Sequence, residues 1–447
     1  SRESRTLCGR TVGKMKIRKL VLVFLLLSLL PVPGEGVSAS AGEDTAVRVG
    51  LFLPGAGTGV SSLELSSPKG FLFPCTGETS LTLSPGQDGG LTVKAKNGRL
   101  LLRHGGDKPL SLGGKDGCVT LPLGGKECRI PGVLSVSVRE GKLRVICTLE
   151  LETYTKCVMG CEIGTSASVE VRRAFSLLVR TVALHGRKHQ SEGADVCATT
   201  CCQVFLGNNK RDKENDAIVD STKGQYVTYK GEPITCLYHH SNGGATCSSA
   251  AAWGGTVLPY LVSVSLAESE EFPSRVWEKT FTQTELARRF PALEGRLLSL
   301  TVSGRDPYGS DYVTLLTAAD GQGNTLQVKT SEKIRSTLSL PTGNFSFAYR
   351  LTAPALTAEG TVEEQALLGY IDSEGKYVPF SSFAEHPLTS GGTAGADTLV
   401  FYGKGAGHGV GFSSQGAEQL AAKGVTYPDL IAFYFPGTEI ANLLNGF

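Results

Sequence analysis

VEVRRAFSLLVRTVALHGR, Val169 to Arg187, contains no proline and meets its first glycine only at Gly186. Ala174, Leu177, Leu178, Thr181 and Val182 recur at three- and four-residue spacing, which lays an apolar stripe along one side of a helix. Ser166 or Ser168 can cap its start, and Glu170 falls in the first turn, where negative charge is favoured. The texture differs on either side. Upstream, Ala46 to Leu53 alternates with Val47, Val49, Leu51 and Leu53 on one face, and short apolar runs between glycine turns continue to about Leu151. Downstream, 217–264 reads as strands with glycine-rich turns, and 283–351 is mixed, with strands at 298–302 and 312–316. The tail from Gly405 is glycine-rich and then helical around 418–423. A strong helix among many short strands predicts an α+β fold, with a substrate cleft beside the helix at 169–186. The expected segments are 1–41 (upstream residues and an export signal), 42–150 (β-rich), 151–265 (catalytic and cysteine-cluster core) and 280–447 (a second α+β lobe carrying the tail motif).

Composition narrows the function. Lys+Arg number 44 against 42 Asp+Glu, a net charge of +2, which argues against a nucleic-acid-binding surface. Fifty-six glycines and two methionines suit a turn-rich β protein. Met15 opens a secretion-signal pattern. Lys16, Arg18 and Lys19 precede the apolar run Leu20 to Leu30, and Ala39-Ser40-Ala41 offers small residues for cleavage. The run is too short to span a bilayer comfortably. The expectation is therefore an exported protein, tethered to the membrane by this segment if cleavage fails.

Twelve cysteines in an exported chain carry two readings. Cys75, Cys118, Cys128, Cys147, Cys157, Cys161, Cys236 and Cys247 form an even set in which disulfides are expected. Cys197, Cys201 and Cys202 lie together after His189, and one imidazole with three thiolates would complete a closed tetrahedral zinc site. His185 is the reserve candidate for the imidazole. The adjacency of Cys201 and Cys202 disfavours a bridge between them, but on residues alone zinc and disulfides stand level.

There is no P-loop, no dinucleotide fingerprint and no H-E-x-x-H helix. Gly411-Phe412-Ser413-Ser414-Gln415-Gly416 places its second glycine one residue too late for a nucleophile elbow, so a serine hydrolase is rejected. Glu162, in Cys161-Glu162-Ile163-Gly164, is read as a loop carboxylate ahead of the helix. Its uncharged neighbours could desolvate it and raise its pKa, as a general acid needs. Arg173 and Arg180, seven residues apart, would share a helix face and offer positive charge to a polar substrate.

Several stretches resemble the stage II sporulation protein D family. They begin with Leu149-Glu150-Leu151-Glu152-Thr153-Tyr154, Glu162 and Val179-Arg180-Thr181-Val182-Ala183-Leu184. Asp195-Val196-Cys197, Gln203-Val204-Phe205 and Tyr229-Lys230-Gly231-Glu232-Pro233-Ile234 follow. Tyr238-His239-His240-Ser241-Asn242-Gly243-Gly244-Ala245-Thr246, Trp253-Gly254 and Pro259-Tyr260-Leu261 continue the series. The most specific stretch is Gly407-His408-Gly409-Val410-Gly411-Phe412-Ser413-Ser414-Gln415-Gly416-Ala417, leading to Tyr427 and Tyr434-Phe435-Pro436-Gly437-Thr438.

The resemblance implies a lytic transglycosylase acting on peptidoglycan glycan strands stripped of stem peptides, with Glu162 as its catalytic residue and a zinc nearby. His240, His408, Gln415 and Tyr434 are the candidate sugar contacts beside Arg173 and Arg180; against them stands the reading that the tail glycines pack a tight turn and His408 satisfies a backbone group. Family relatives that enhance an amidase raise the alternative of a non-catalytic glycan binder with a cell-wall amidase as partner. The chain departs from the family pattern at Ile163 (usually methionine), Arg173 (lysine), Phe175 (glutamine) and Cys201 (histidine). Cys201 preserves a metal site. Phe175 removes a polar side chain beside the acid and leaves the binding-only reading open.

Overall fold

The computed structural model describes residues 46–443 apart from 73, 76, 106–107, 187, 267–274, 295–296, 351, 357–361, 367–368, 372–376 and 380–397. The expected export segment at 15–41 lies outside the described residues. No helix among those described is long and apolar enough to cross a membrane.

The fold is α+β. Strand Ala46–Phe52 is buried at Val47, Val49 and Leu51, with Leu53 buried just beyond it. It pairs antiparallel with Lys142–Glu150. Val133–Arg139 and Leu110–Leu112 extend that sheet on one side, and Val196–Cys197 adds to the other edge, parallel to Ala46–Phe52. A second sheet of six strands, from Leu63 to Pro131, belongs to the same apolar core.

Strand Lys142–Glu150 runs directly into helix α1, Leu151–Glu162. Glu162 is thus the last residue of a helix, not a loop residue as its sequence suggested. Helix α2, Val169–His185, starts at Ser168, whose hydroxyl accepts the Val171 N–H at 3.4 Å. Ala174, Leu177, Leu178 and Thr181 are buried, as their spacing predicts. The 217–264 region, expected as strands, includes helix α3 (Lys213–Ser221) and the short α4 (Ser249–Trp253) around strands Gln225–Tyr229 and Tyr238–His239.

Residues 281–345 build a second core, with Leu399 and Phe401, around α5 (Gln283–Ala287), α6 (Ser331–Leu338) and the antiparallel strands Leu297–Arg305, Val313–Asp320 and Thr325–Lys329. The tail rejoins the larger core through α7, Ser414–Ala422, and α8, Tyr427–Tyr434. Strand Phe412–Ser413 pairs parallel with Tyr238–His239, and Glu439–Asn442 pairs with Gln225–Tyr229. The Gly/His motif therefore leads straight into a strand paired with Tyr238–His239, whose paired residues lie 174 positions apart in sequence.

The cysteines correct one expectation. All eleven among the described residues are free thiols. Cys147 donates to the Pro131 carbonyl at 3.0 Å and Cys128 to that of Leu123 at 3.6 Å. Buried thiols of this kind pack as small apolar groups with a weak donor.

Candidate active site and metal centre

Glu162 ends α1 half-buried. Its Oε1 accepts the Val204 N–H at 2.6 Å, and the Tyr238 hydroxyl also acts on its carboxyl. Burial pushes the Glu162 pKa up, and these two donors partly offset it. The net direction is upward, toward a carboxyl that keeps its proton to higher pH than a solvated one. No second carboxylate of the described residues is among the groups acting on it.

Tyr238 is anchored from behind. Its ring meets that of Phe175 edge-on at 4.6 Å between centroids, and Phe175 is buried between Tyr238 and Phe412. Phe175 therefore backs the wall that carries the tyrosine and does not line an opening beside the acid. Gln203, fully buried, lies between Tyr154 and Tyr238. Neither Gln203, Val204 nor Tyr238 was given a role from sequence. The usable signals were that Gln203 and Val204 directly follow Cys202, and that Tyr238 sits in a strand pairing with the tail motif.

The metal candidates converge. One ligand atom from each of His189, Cys197, Cys201 and Cys202 lies within 4.8 Å of all the others. This compactness, with one imidazole and three thiols, fits a tetrahedral zinc site. Cys197 ends the strand paired with Ala46–Phe52, locked there by the two-point contact of Arg48 with Asp195 (2.6 and 3.2 Å). A tight turn through Thr199 then brings Cys201 and Cys202 back, and Cys201 Sγ lies 3.5 Å from His189 Nε2. The neighbouring Cys202 thiol pulls the Cys197 pKa down. His185 is engaged elsewhere, with Pro233 O at 3.0 Å and Thr235 Oγ1 at 3.2 Å. His189 is the imidazole that reaches the thiols.

The candidate sugar contacts separate into two groups. His240 is exposed two residues beyond Tyr238, and its carbonyl accepts the Gln415 N–H at 3.0 Å, so His240 and Gln415 are neighbours. Arg173 is part-exposed and pairs with Glu170 at 2.8 Å. Arg180, in contrast, is fully buried. Its guanidinium holds Glu152 at 2.7 Å and donates to Val219 O at 2.8 Å and Thr222 Oγ1 at 3.2 Å, clamping α1, α2 and α3 together. The arginine face expected along the helix is not realised, because a carboxylate 28 residues upstream neutralises half of it inside the core.

Tyr434 is likewise buried, its ring 5.0 Å from that of Phe412, and the absence of a side chain at Gly416 makes room for its hydroxyl. His408 lies between the rings of His239 and Trp253, at 5.6 and 5.4 Å. Its Nδ1 accepts the Val410 N–H at 3.0 Å, and burial lowers its pKa to about 4. It is a neutral ring that satisfies its own loop. Ser413 Oγ accepts the Gly416 N–H at 3.2 Å as the cap of α7, an arrangement with no nucleophile in it.

Residues 139–229, which hold α1, α2, Glu162 and all four metal candidates, match the family model described as stage II sporulation protein. The resemblance to the stage II sporulation protein D family read from the motifs is thus shown over this segment. The chain is 25% identical to stage II sporulation protein D of Bacillus subtilis over 230 residues, 47% of this chain and 64% of that protein. It is 32% identical over 131 residues to the amidase enhancer of the same organism, covering 29% of this chain and 17% of the relative. An uncharacterized protein of Brachyspira hyodysenteriae is 31% identical over 122 residues, 27% of this chain and 33% of its own length. The chain spans less than two-thirds of the length of each of these relatives.

Proposed function

We propose that this protein is an exported peptidoglycan lytic transglycosylase, acting in cell-wall remodelling during sporulation, with Glu162 as its single acid and base. The observation that carries the reading is a half-buried carboxyl, raised in pKa, held by the Val204 N–H, with no second carboxylate of the described residues acting on it. Protonated, Glu162 would donate to the glycosidic oxygen between N-acetylmuramic acid and N-acetylglucosamine. As carboxylate it would then take the proton of the muramic C6 hydroxyl as that oxygen attacks the anomeric carbon and closes a 1,6-anhydro ring. Hydrolytic glycosidases need a second carboxylate to activate water or to attack; here the substrate brings its own nucleophile. His240 and Gln415 are the side chains we assign to the sugar; Arg173 is a further candidate at the helix surface.

We further propose that His189, Cys197, Cys201 and Cys202 hold one structural zinc ion. Four protein ligands leave no position for water or substrate. When bound, the metal neutralises the thiolates and fixes the turn that leads to Val204, the residue that holds Glu162.

The amidase-enhancer relative supports a second reading, a glycan binder that recruits a cell-wall amidase. Digestion of stem-peptide-free glycan strands, followed by mass spectrometry, separates the two. Anhydromuramic ends, lighter by one water than lysozyme products of the same length, are expected. New reducing ends would replace the proposal with a hydrolase, and undigested glycan that retains the protein would replace it with the binder.

A further inference from the structure

We infer that Gln203 is a positioning residue whose side-chain amide fixes the Tyr238 hydroxyl as a hydrogen-bond donor to Glu162. The geometry has a single consistent direction. Tyr154 on α1 is fully buried and its hydroxyl donates to Gln203 Oε1 at 2.8 Å. The Gln203 Nε2 then faces the Tyr238 oxygen at 3.5 Å. An amide nitrogen can only donate, so the Tyr238 oxygen accepts there and its own proton is left free for the Glu162 carboxyl, the group that acts on Tyr238 most strongly after its burial. Turned end for end, Gln203 would present its oxygen to Tyr238 and draw that proton away from Glu162. It would also leave the buried Tyr154 hydroxyl proton without its acceptor.

The relay is tied to the metal segment by sequence. Cys202 is a proposed metal ligand, Gln203 orients Tyr238, and Val204 donates to Glu162 Oε1 at 2.6 Å. Three consecutive residues thus supply a thiol, an orienting amide and an N–H to the acid. Phe205 closes the segment, its N–H bonded to Ala198 O at 3.2 Å and its ring 5.8 Å from that of Tyr154. The titratable groups around Glu162 are Tyr154 and Cys161 on its own helix and Tyr238 on the facing strand.

A donor aimed at a carboxylate favours its ionised form. Losing Tyr238 as a donor therefore raises the pKa of Glu162, and losing Gln203 does so only through Tyr238. The proposal rests on Glu162 as the working acid for its consequence, but its test does not need turnover. Protein labelled with carboxyl-13C glutamate is titrated by NMR, with Glu162→Gln assigning the resonance and elemental analysis confirming equal zinc in each variant. Tyr238→Phe is expected to raise the Glu162 midpoint by about one pH unit, and Gln203→Met by about half as much. The double variant is expected to match Tyr238→Phe alone. A Gln203→Met midpoint equal to wild type, or an unreduced Gln203→Met shift in the Tyr238→Phe background, overturns the inference. Should Gln203→Met lose metal, Tyr154→Phe acts on the same relay from outside the cysteine segment; an upward shift sustains the inference and an unmoved midpoint overturns it. Where glycan is cleaved, the high-pH limb of the rate profile is expected to move upward by the same amount. If no glycan is cleaved by wild type, the proposed activity falls while the titration still decides the relay.

Discussion

Two stretches of this chain look equally chemical in one dimension, the cysteine segment at 197–204 and the Gly/His motif at 405–411, yet the fold uses them in opposite ways. The cysteine segment turns polar atoms toward one another and toward Glu162. Four ligand atoms come within 4.8 Å, and a backbone N–H is aimed at the acid. The glycine motif instead turns chain into tight packing. Gly405, Gly407, Gly409 and Gly411 all adopt left-handed φ, at 89°, 106°, 79° and 73°. A side chain at Gly409 would strike the Tyr312 hydroxyl, and one at Gly407 would strike His239. Chemical residue types are thus a weaker guide than where their polar atoms end up. A functional site leaves polar capacity toward a cavity or ligand, whereas a structural motif satisfies its polar groups within itself.

The sharpest way to break this contrast is at the proposed metal site. Cys202→Ser, or exhaustive chelation, is expected to cost about 4 kcal/mol or more of stability, because a closed zinc site contributes directly to folding. Glycan cleavage should vanish with it, as the turn carrying Val204 loosens. Denaturant melts with and without added zinc check this; metal-free protein of unchanged stability would reduce the cluster to an ordinary group of thiols.

Next comes the acid. Glu162→Gln keeps the Val204 contact but cannot cycle a proton, so turnover should fall by at least about two orders of magnitude. Glycan binding and thermal stability should stay near wild type. Near-normal cleavage by this variant would remove Glu162 from its role. A collapse in stability would move it to the structural side of the comparison.

The third test falls on the glycine motif. Gly409→Ala combines positive φ with a collision against Tyr312, whose hydroxyl donates to Asn242 O at 3.2 Å. A loss of about 2 kcal/mol is expected, with the kcat and KM of the folded fraction little changed. A variant of full stability that no longer bound glycan would show the loop to be a ligand contact after all.

What could be read in advance follows the range of the forces involved. Helix α2 and strand Ala46–Phe52 were legible because a 3.6-residue stripe, a serine cap and a period of two are local signals. Helix α1 was not. Thr153, Thr155, Cys157 and Gly160 are weak helix formers, and the helix is held by what packs on it. Gly160, for instance, lets the Lys210 carbonyl approach closely. The four candidate ligands could be listed from their clustering, but the approach of their ligand atoms to within 4.8 Å of one another appears only in the fold. The fate of Arg180 was hidden for the same reason: periodicity gave the direction of its side chain, not the Glu152 waiting there. Gln203 carried no signal beyond its place after Cys202, since an amide relay depends on two tyrosines 49 and 35 residues away in the chain.

The smallest expected effect concerns His408, and its sign follows from proton linkage. Burial lowers His408 to about 4 and its neighbour His239 to about 3, against an ordinary value of 6.5. Around His408 the charged groups are Glu332, which favours protonation, and Arg335, which opposes it, both on α6. His239 feels His408 and His240 besides its own burial. A histidine kept neutral in the fold binds fewer protons than in the unfolded chain between these values, so stability rises with pH there. The contribution is complete above about pH 6.5 and is lost as the pH falls toward 4. His408→Gln keeps an acceptor for the Val410 N–H but cannot titrate. It should flatten the fall in stability between pH 6.5 and 4, while costing less than about 1 kcal/mol at pH 8. Urea melts at pH 4.5, 5.5, 6.5 and 8 measure both quantities. An unchanged slope would mean that His408 gains its proton without penalty, and so has access to water or to a ligand that the packed-loop reading denies it.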